Sequence, residues 1–405
     1  MKIRSITCFY NPGVNFAGQT LEKLSQLTVK LRAAIEAEGI SVQTTRLATP
    51  PFSRLCPSDC FESGSELAQK LERQSKQHGF DYLSMGPAFP DRLDTYTLIP
   101  RLLAQTKDVF FSGSMTTAQG KISLPAVKAC AEVIEANARV TPDGFTNLHF
   151  AALANVPAFT PFFPAAYMEG EQPAFSLAVE SADEAVQAFS QAKTLAAART
   201  SLMEKLESQT AWLTVICEKL AKELDCIFKG FDVSLAPFPT KEVSLGGALE
   251  KLGVPALGNH GSLAAAAFLA ETLDRGNWLR AGFNGLMLPV LEDSTLAERA
   301  AGGSLTVRDL LLYSSVCGAG LDTIPLAGDI TAAQIYPLLL DVAFLSTRLH
   351  KPLTVRLMPI PGKKAGDATT FEFDYFANSR VMAIDSEPLF GVLTGNEEVE
   401  INPRH

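Results

Sequence analysis

A chain of 405 residues, 47% hydrophobic and 20% charged, has ample apolar surface for a large core and reads as a soluble globular protein. Its formal net charge of -9, with no stripe of Lys and Arg, argues against nucleic acid as a partner, because phosphate backbones are met by clustered cations. Apolar windows such as residues 263–270 fall far short of the roughly 20 residues a bilayer span needs, and the charged, alternating start is no secretory signal. A cytoplasmic protein with no membrane partner is expected.

In chain order, residues 3–10 alternate as a strand, and residues 20–38 carry Leu21, Leu24, Leu27, Leu31 and Ile35 at helical spacing before Gly39. Residues 40–47 predict a second strand, 65–78 a polar helix, and 80–85 and 108–115 two further strands. Such alternation implies helices packed on a central sheet. Pro and Phe crowd residues 156–167, which cannot stay regular and should line or cover something. Residues 174–180 predict a strand and 182–226 one long helical region, with Trp212, Leu213, Ile216, Leu220 and Leu224 as its buried stripe. The second half alternates again: strands at 231–238, 283–291 and 353–359, and helices at 244–252, 262–273, 305–316 and 331–349. With no linker, charge block or repeat, residues 1–405 read as a single α/β domain.

Seven scattered cysteines, an odd number in a large chain, indicate a reduced compartment rather than a disulfide framework. Cys130, Cys217 and Cys226 fall in helical patterns as small core residues. Cys56 and Cys60 lack the second pair a zinc site needs, and no paired-His or Cys-His spacing occurs, so no metal site is assigned.

The chemically richest stretch is Cys317-Gly318-Ala319-Gly320-Leu321-Asp322, followed by Pro325 and Gly328-Asp329. A thiol at a helix C-terminus gains no pKa depression from the dipole, yet the glycines leave it little steric cover. Cys317 and Asp322 are the candidate catalytic pair. Asp329 is expected to cap the helix from residue 331, although two carboxylates here could also hold a hard cation.

Arg356 falls inside an apolar strand and needs a carboxylate partner or an anionic ligand. That strand opens into Gly362-Lys363-Lys364-Ala365-Gly366-Asp367, whose ammonium groups and free N–H groups suit an anion at a strand's carboxyl end. It is not a triphosphate-binding loop, because the required glycine-lysine order is absent. Gly258-Asn259-His260-Gly261-Ser262 leads into a helix with Ser262 as its expected cap. Asn284 stands at the polar entry of the 283–291 strand, with Glu292 and Asp293 at its exit. Arg356, Lys363, Lys364, Asp367, His260 and Asn284 are thus the candidate ligand-binding residues.

Together these segments, with Ile3-Arg4-Ser5-Ile6-Thr7 and Val42-Gln43-Thr44-Thr45-Arg46-Leu47, resemble the DUF711 or UPF0210 family, an uncharacterised group. The resemblance implies the fold of pyruvate formate-lyase-like proteins, a ten-stranded α/β barrel around a buried site, with Cys317 in or near the interior. Gly391 and Gly395 lack the flanking Arg-Val and Tyr that glycyl radical chemistry needs. Two functions remain: an enzyme acting on a small anionic metabolite, or a non-catalytic binding or regulatory protein using the same pocket. A homo-oligomer is the expected assembly, and the sequence names no cofactor.

Overall fold

Period-two alternation gives each strand one face for the helices and one for whatever the sheet encloses. A computed structural model describes residues 1–13, 17–55 and 61–404, and in it the chain is a mixed α/β fold around a nine-stranded sheet. The strands are β1 (Lys2–Phe9), β2 (Val42–Ala48), β3 (Tyr82–Ala88), β4 (Val109–Ser114), β5 (Ile122–Ser123), β6 (Phe150–Ala154), β7 (Ala174–Glu180), β8 (Ile227–Asp232), β9 (Gly320–Ala327), β10 (Leu353–Ile360) and β11 (Glu398–Val399). Their order across the sheet is β8-β7-β1-β2-β3-β4-β6-β10-β9, with β5 and β11 paired separately. Strands β1, β2, β3, β4 and β6 run parallel. The pairs β7–β8 and β9–β10 are each parallel and join that group through antiparallel contacts.

Both outer strands meet one further segment, residues 279–290. Phe231 N donates to Leu279 O at 2.8 Å beside β8, and Val290 N donates to Asp322 O at 3.1 Å in β9. Isolated parallel bridges Phe231–Arg280 and Pro289–Asp322 mark the same two edges. The sheet is curled enough for a single segment to reach both sides. The strand expected at 283–291 is therefore an extended connection rather than a ladder member: Asn284 takes φ 46° and Pro289 lacks an N–H.

In β10, Leu353, Val355 and Leu357 join the large apolar core under the helices, which leaves Thr354, Arg356 and Met358 on the enclosed face. The same division puts Ile6 and Cys8 of β1 outward and Ser5, Thr7 and Phe9 inward. The Pro- and Phe-rich residues 156–167 are irregular, as expected, and lie across that enclosed face. Thr7 Oγ1 donates to Pro161 O at 3.2 Å, and Ser84 Oγ to Ala166 O at 2.7 Å.

Helix Ala17–Ala37 buries the stripe read from its spacing, Leu21 through Ile35. The helical region expected over 182–226 is two helices, Ala182–Gln191 and Leu195–Glu223; Ala192 is extended and Thr194 caps the second, accepting from Ala197 N. Asp329 is exposed and does not cap helix Ala332–Leu349, because Thr331 and Gln334 form a reciprocal capping box there. Ser262 is likewise the first helical residue of Ser262–Asp274, and Gly261 is the cap. Cys130 and Cys217 are fully buried core residues, whereas the Cys56 and Cys60 assignment lies outside the described residues. Among the described residues no helix is long and apolar enough to cross a membrane.

Candidate functional site

Two bulges aim charged groups at the sheet's interior. Between Val355–Leu321 and Leu357–Ile324 the β9–β10 register slips, so two residues of β9, Asp322 and Thr323, face the single Arg356. Thr323 absorbs the turn at φ 42°, and Asp322 comes round beside Arg356. At the β1–β7 register shift between Ile3 and Ser5, Arg4 is the extra residue.

Arg356 donates from Nε to Asp322 Oδ1 at 2.6 Å and from Nη2 to Oδ2 at 3.0 Å, a bidentate pair. Its Nη2 also donates to Glu292 Oε1 at 2.7 Å. Arg4 Nη2 donates to the other oxygen of Glu292, and Arg4 Nη1 lies 3.6 Å from Glu180 Oε2. Burial alone would lower the pKa of Arg356, but Asp322 and Glu292 more than offset it and hold the guanidinium above its ordinary value. The expectation that Arg356 needs a partner is met by two carboxylates, one of them Glu292.

Arg4, Glu292 and Arg356 of this chain of ion pairs face a cavity of about 550 Å³, lined also by Thr44, Arg46, Tyr82, Asp108, Phe110, Phe145, His149, Phe162, Phe163, Phe373 and Tyr375, with Asp322 behind Arg356 and outside the lining. Residues 156–167 thus contribute two rings to its wall. Arg46 differs from the other two arginines. Its Nε donates to Thr44 Oγ1 at 2.9 Å and its guanidinium lies 5.2 Å from the Phe163 ring centroid, but no described carboxylate comes within ion-pair distance. Burial and the charge of Arg4 lower its pKa to about 10, so it stays cationic at neutral pH. His149 stacks on Phe110 at 4.3 Å, and burial lowers its pKa to about 4, leaving the imidazole neutral.

Of the residues singled out from sequence, the structure brings Asp322 and Arg356 together and places the others elsewhere. Cys317 is 1% exposed, packs in the main apolar core, and does not line the cavity. Its carbonyl accepts from Lys351 Nζ at 2.5 Å. Asn284 is held structurally: its Oδ1 accepts from Trp278 Nε1 at 3.0 Å and Val233 N at 3.2 Å. His260 is exposed on its turn. Lys363, Lys364 and Asp367 form a tight surface turn in which Lys364 N donates to Asp367 Oδ2 at 2.8 Å, away from the cavity lining. Arg46 carries a weaker signal in sequence than Arg356, because it follows the polar run Gln43-Thr44-Thr45 and only Leu47 and Ala48 after it are apolar. His149 stands between the apolar Leu148 and Phe150, a setting that by itself points to a structural histidine. Among the described residues no group of three His, Cys, Asp or Glu is placed to hold a metal ion.

A mixed α/β protein with a ring-lined internal cavity and an arginine–carboxylate floor is the class that fold and site define. The family model described as "Uncharacterised ACR (DUF711)" matches residues 1–378, and the chain belongs to that family. Relatives include the "UPF0210 protein" of Pyrobaculum islandicum, 32% identical over 396 residues that cover 91% of this chain and 87% of the relative. The "UPF0210 protein" of Acetivibrio thermocellus is 28% identical over 370 residues, covering 87% of this chain and 81% of the relative.

Proposed function

We propose that the protein takes up a small organic anion in the cavity, with Arg46 as its charge partner. One observation carries this reading: Arg46 faces a cavity of ligand size and no described carboxylate stands within ion-pair distance of it, while the lining arginines Arg4 and Arg356 are each paired. In this reading Arg356 and Glu292 are a rigid part of the wall rather than reacting groups, Asp322 braces Arg356 from behind, and Cys317 is a packing residue. A thermal-shift screen of small carboxylates and phosphates tests it, since a ligand at 100 times its dissociation constant stabilises by about 2.7 kcal/mol. Stabilisation by at least one anion, lost in Arg46→Gln, is the expected result. No shift, or a shift that survives in Arg46→Gln, would count against the assignment.

Catalysis on the bound anion is the second reading, favoured by a neutral imidazole, His149, on the cavity wall near Asp108. Mass-spectrometric detection of a converted anion that disappears in His149→Gln, with binding retained, would decide for it.

A further inference from the structure

The cavity's rings are not scattered. Tyr82 lies 5.4 Å from Phe110, Phe110 4.3 Å from His149, His149 6.3 Å from Phe145, Phe145 5.2 Å from Phe373, and Phe373 5.2 Å from Tyr375, centroid to centroid. All six line the cavity, so an unbroken belt of rings runs along its wall. Rings offer a ligand flat faces and polarised edges, which reward another ring more than a flexible chain of equal area. A sugar-like ligand would instead require a dense set of hydrogen-bonding groups at the wall, and the belt supplies few.

Charge narrows the class further. Among the described lining residues Arg46 and the exposed Lys107 stand without an ion-pair partner, whereas the lining carboxylates are each held by cations, Glu292 by Arg4 and Arg356 and Asp108 by Lys76. The positive charge left over suits an anionic group on a ligand that lies along the belt. Resting on the anion-uptake reading above, we infer that the cavity takes an aromatic carboxylate: one ring seated against the belt and one carboxylate on Arg46.

Isothermal titration with four probes tests this: phenylacetate, hexanoate (same charge, no ring), benzyl alcohol (ring, no charge) and phenyl phosphate (ring, two charges). Phenylacetate should bind about tenfold tighter than hexanoate, as expected for one to two aromatic contacts. Arg46→Gln should weaken phenylacetate by about tenfold or more, the usual range for a lost charge-assisted hydrogen bond. Phe373→Leu, at the half-buried end of the belt, should narrow the gap between phenylacetate and hexanoate while circular dichroism and melting report a folded protein. If hexanoate binds as tightly as phenylacetate and both depend on Arg46, the aromatic class is wrong and anion uptake stands. If phenyl phosphate binds tighter than phenylacetate, the carboxylate assignment is wrong. If benzyl alcohol matches phenylacetate and Arg46→Gln changes nothing, or if no probe binds, the inference and the anion reading fall together.

Discussion

Arg356 and Arg46 both project from strands toward the cavity, and what separates them is the number of carboxylates each meets. Arg356 meets two, with its bidentate hold on Asp322 almost wholly out of water. Removing Asp322 leaves Arg356 only Glu292, which it shares with Arg4, so Asp322→Ala should cost about 3 kcal/mol by urea denaturation, the low end for a broken buried pair. Arg46 meets none, and Arg4 repels it. Arg46→Met should therefore leave stability unchanged or raise it, while abolishing anion binding; a large loss of stability would show that the guanidinium has a structural partner. His149 gives a pH signature. Its pKa falls from the ordinary 6.5 to about 4 on folding, so between these values the unfolded chain binds the extra proton. Stability then drops as pH falls through that window, by at most about 1.4 kcal/mol per unit from this one group. His149→Gln should lose that contribution, so the variant gains on the wild type from pH 6.5 down to 4. Parallel stability curves would refute the assignment.

At the scale of elements, legibility followed periodicity. Helix Ala17–Ala37 and strand β7 came straight from spacing, and β10 from its apolar run. The Asp322–Arg356 pair did not, because it depends on a bulge. Leu321 and Ile324 both face the helices although they are three apart, which period-two reading forbids and the extra residue at Thr323 allows. The cavity is illegible for a related reason: its members come from β1, β2, β3, β4, β7 and β10, from two short helices and from irregular loops, and no local pattern joins them. Caps were misassigned where two candidates stood close in sequence. Asp329 and Thr331 both precede the helix, and only Thr331 has Gln334 three residues on to complete the box. Thr331→Ala should thus cost about 1 kcal/mol in chemical denaturation, and Asp329→Ala close to nothing. The reverse order would restore Asp329 as the cap.

For the whole molecule the decisive contact is where residues 279–290 pass the turn that carries Cys317. A Cβ built on Gly285 would stand 2.5 Å from the backbone of Gly318, so these two glycines let two chain segments pass at backbone distance. The same segment reaches β8 through Phe231 and β9 through Asp322, the residue that holds Arg356. This approach accounts for Gly318, while Gly320, at φ 98°, is required by β10, where a Cβ on it would stand 2.2 Å from Thr354 O. Gly285→Ala should force the segments apart at an overpacking cost of about 1–3 kcal/mol. The effect should be localised as well: hydrogen exchange should quicken in residues 279–290 and in β9 before it does in β1 to β4, because only the former depend on that contact. Since Asp322 belongs to β9, loosening there should also weaken anion uptake at Arg46 across the cavity floor. Uniform quickening across every strand would mean instead that the segment is no separate closure of the sheet and that the fold opens as one unit.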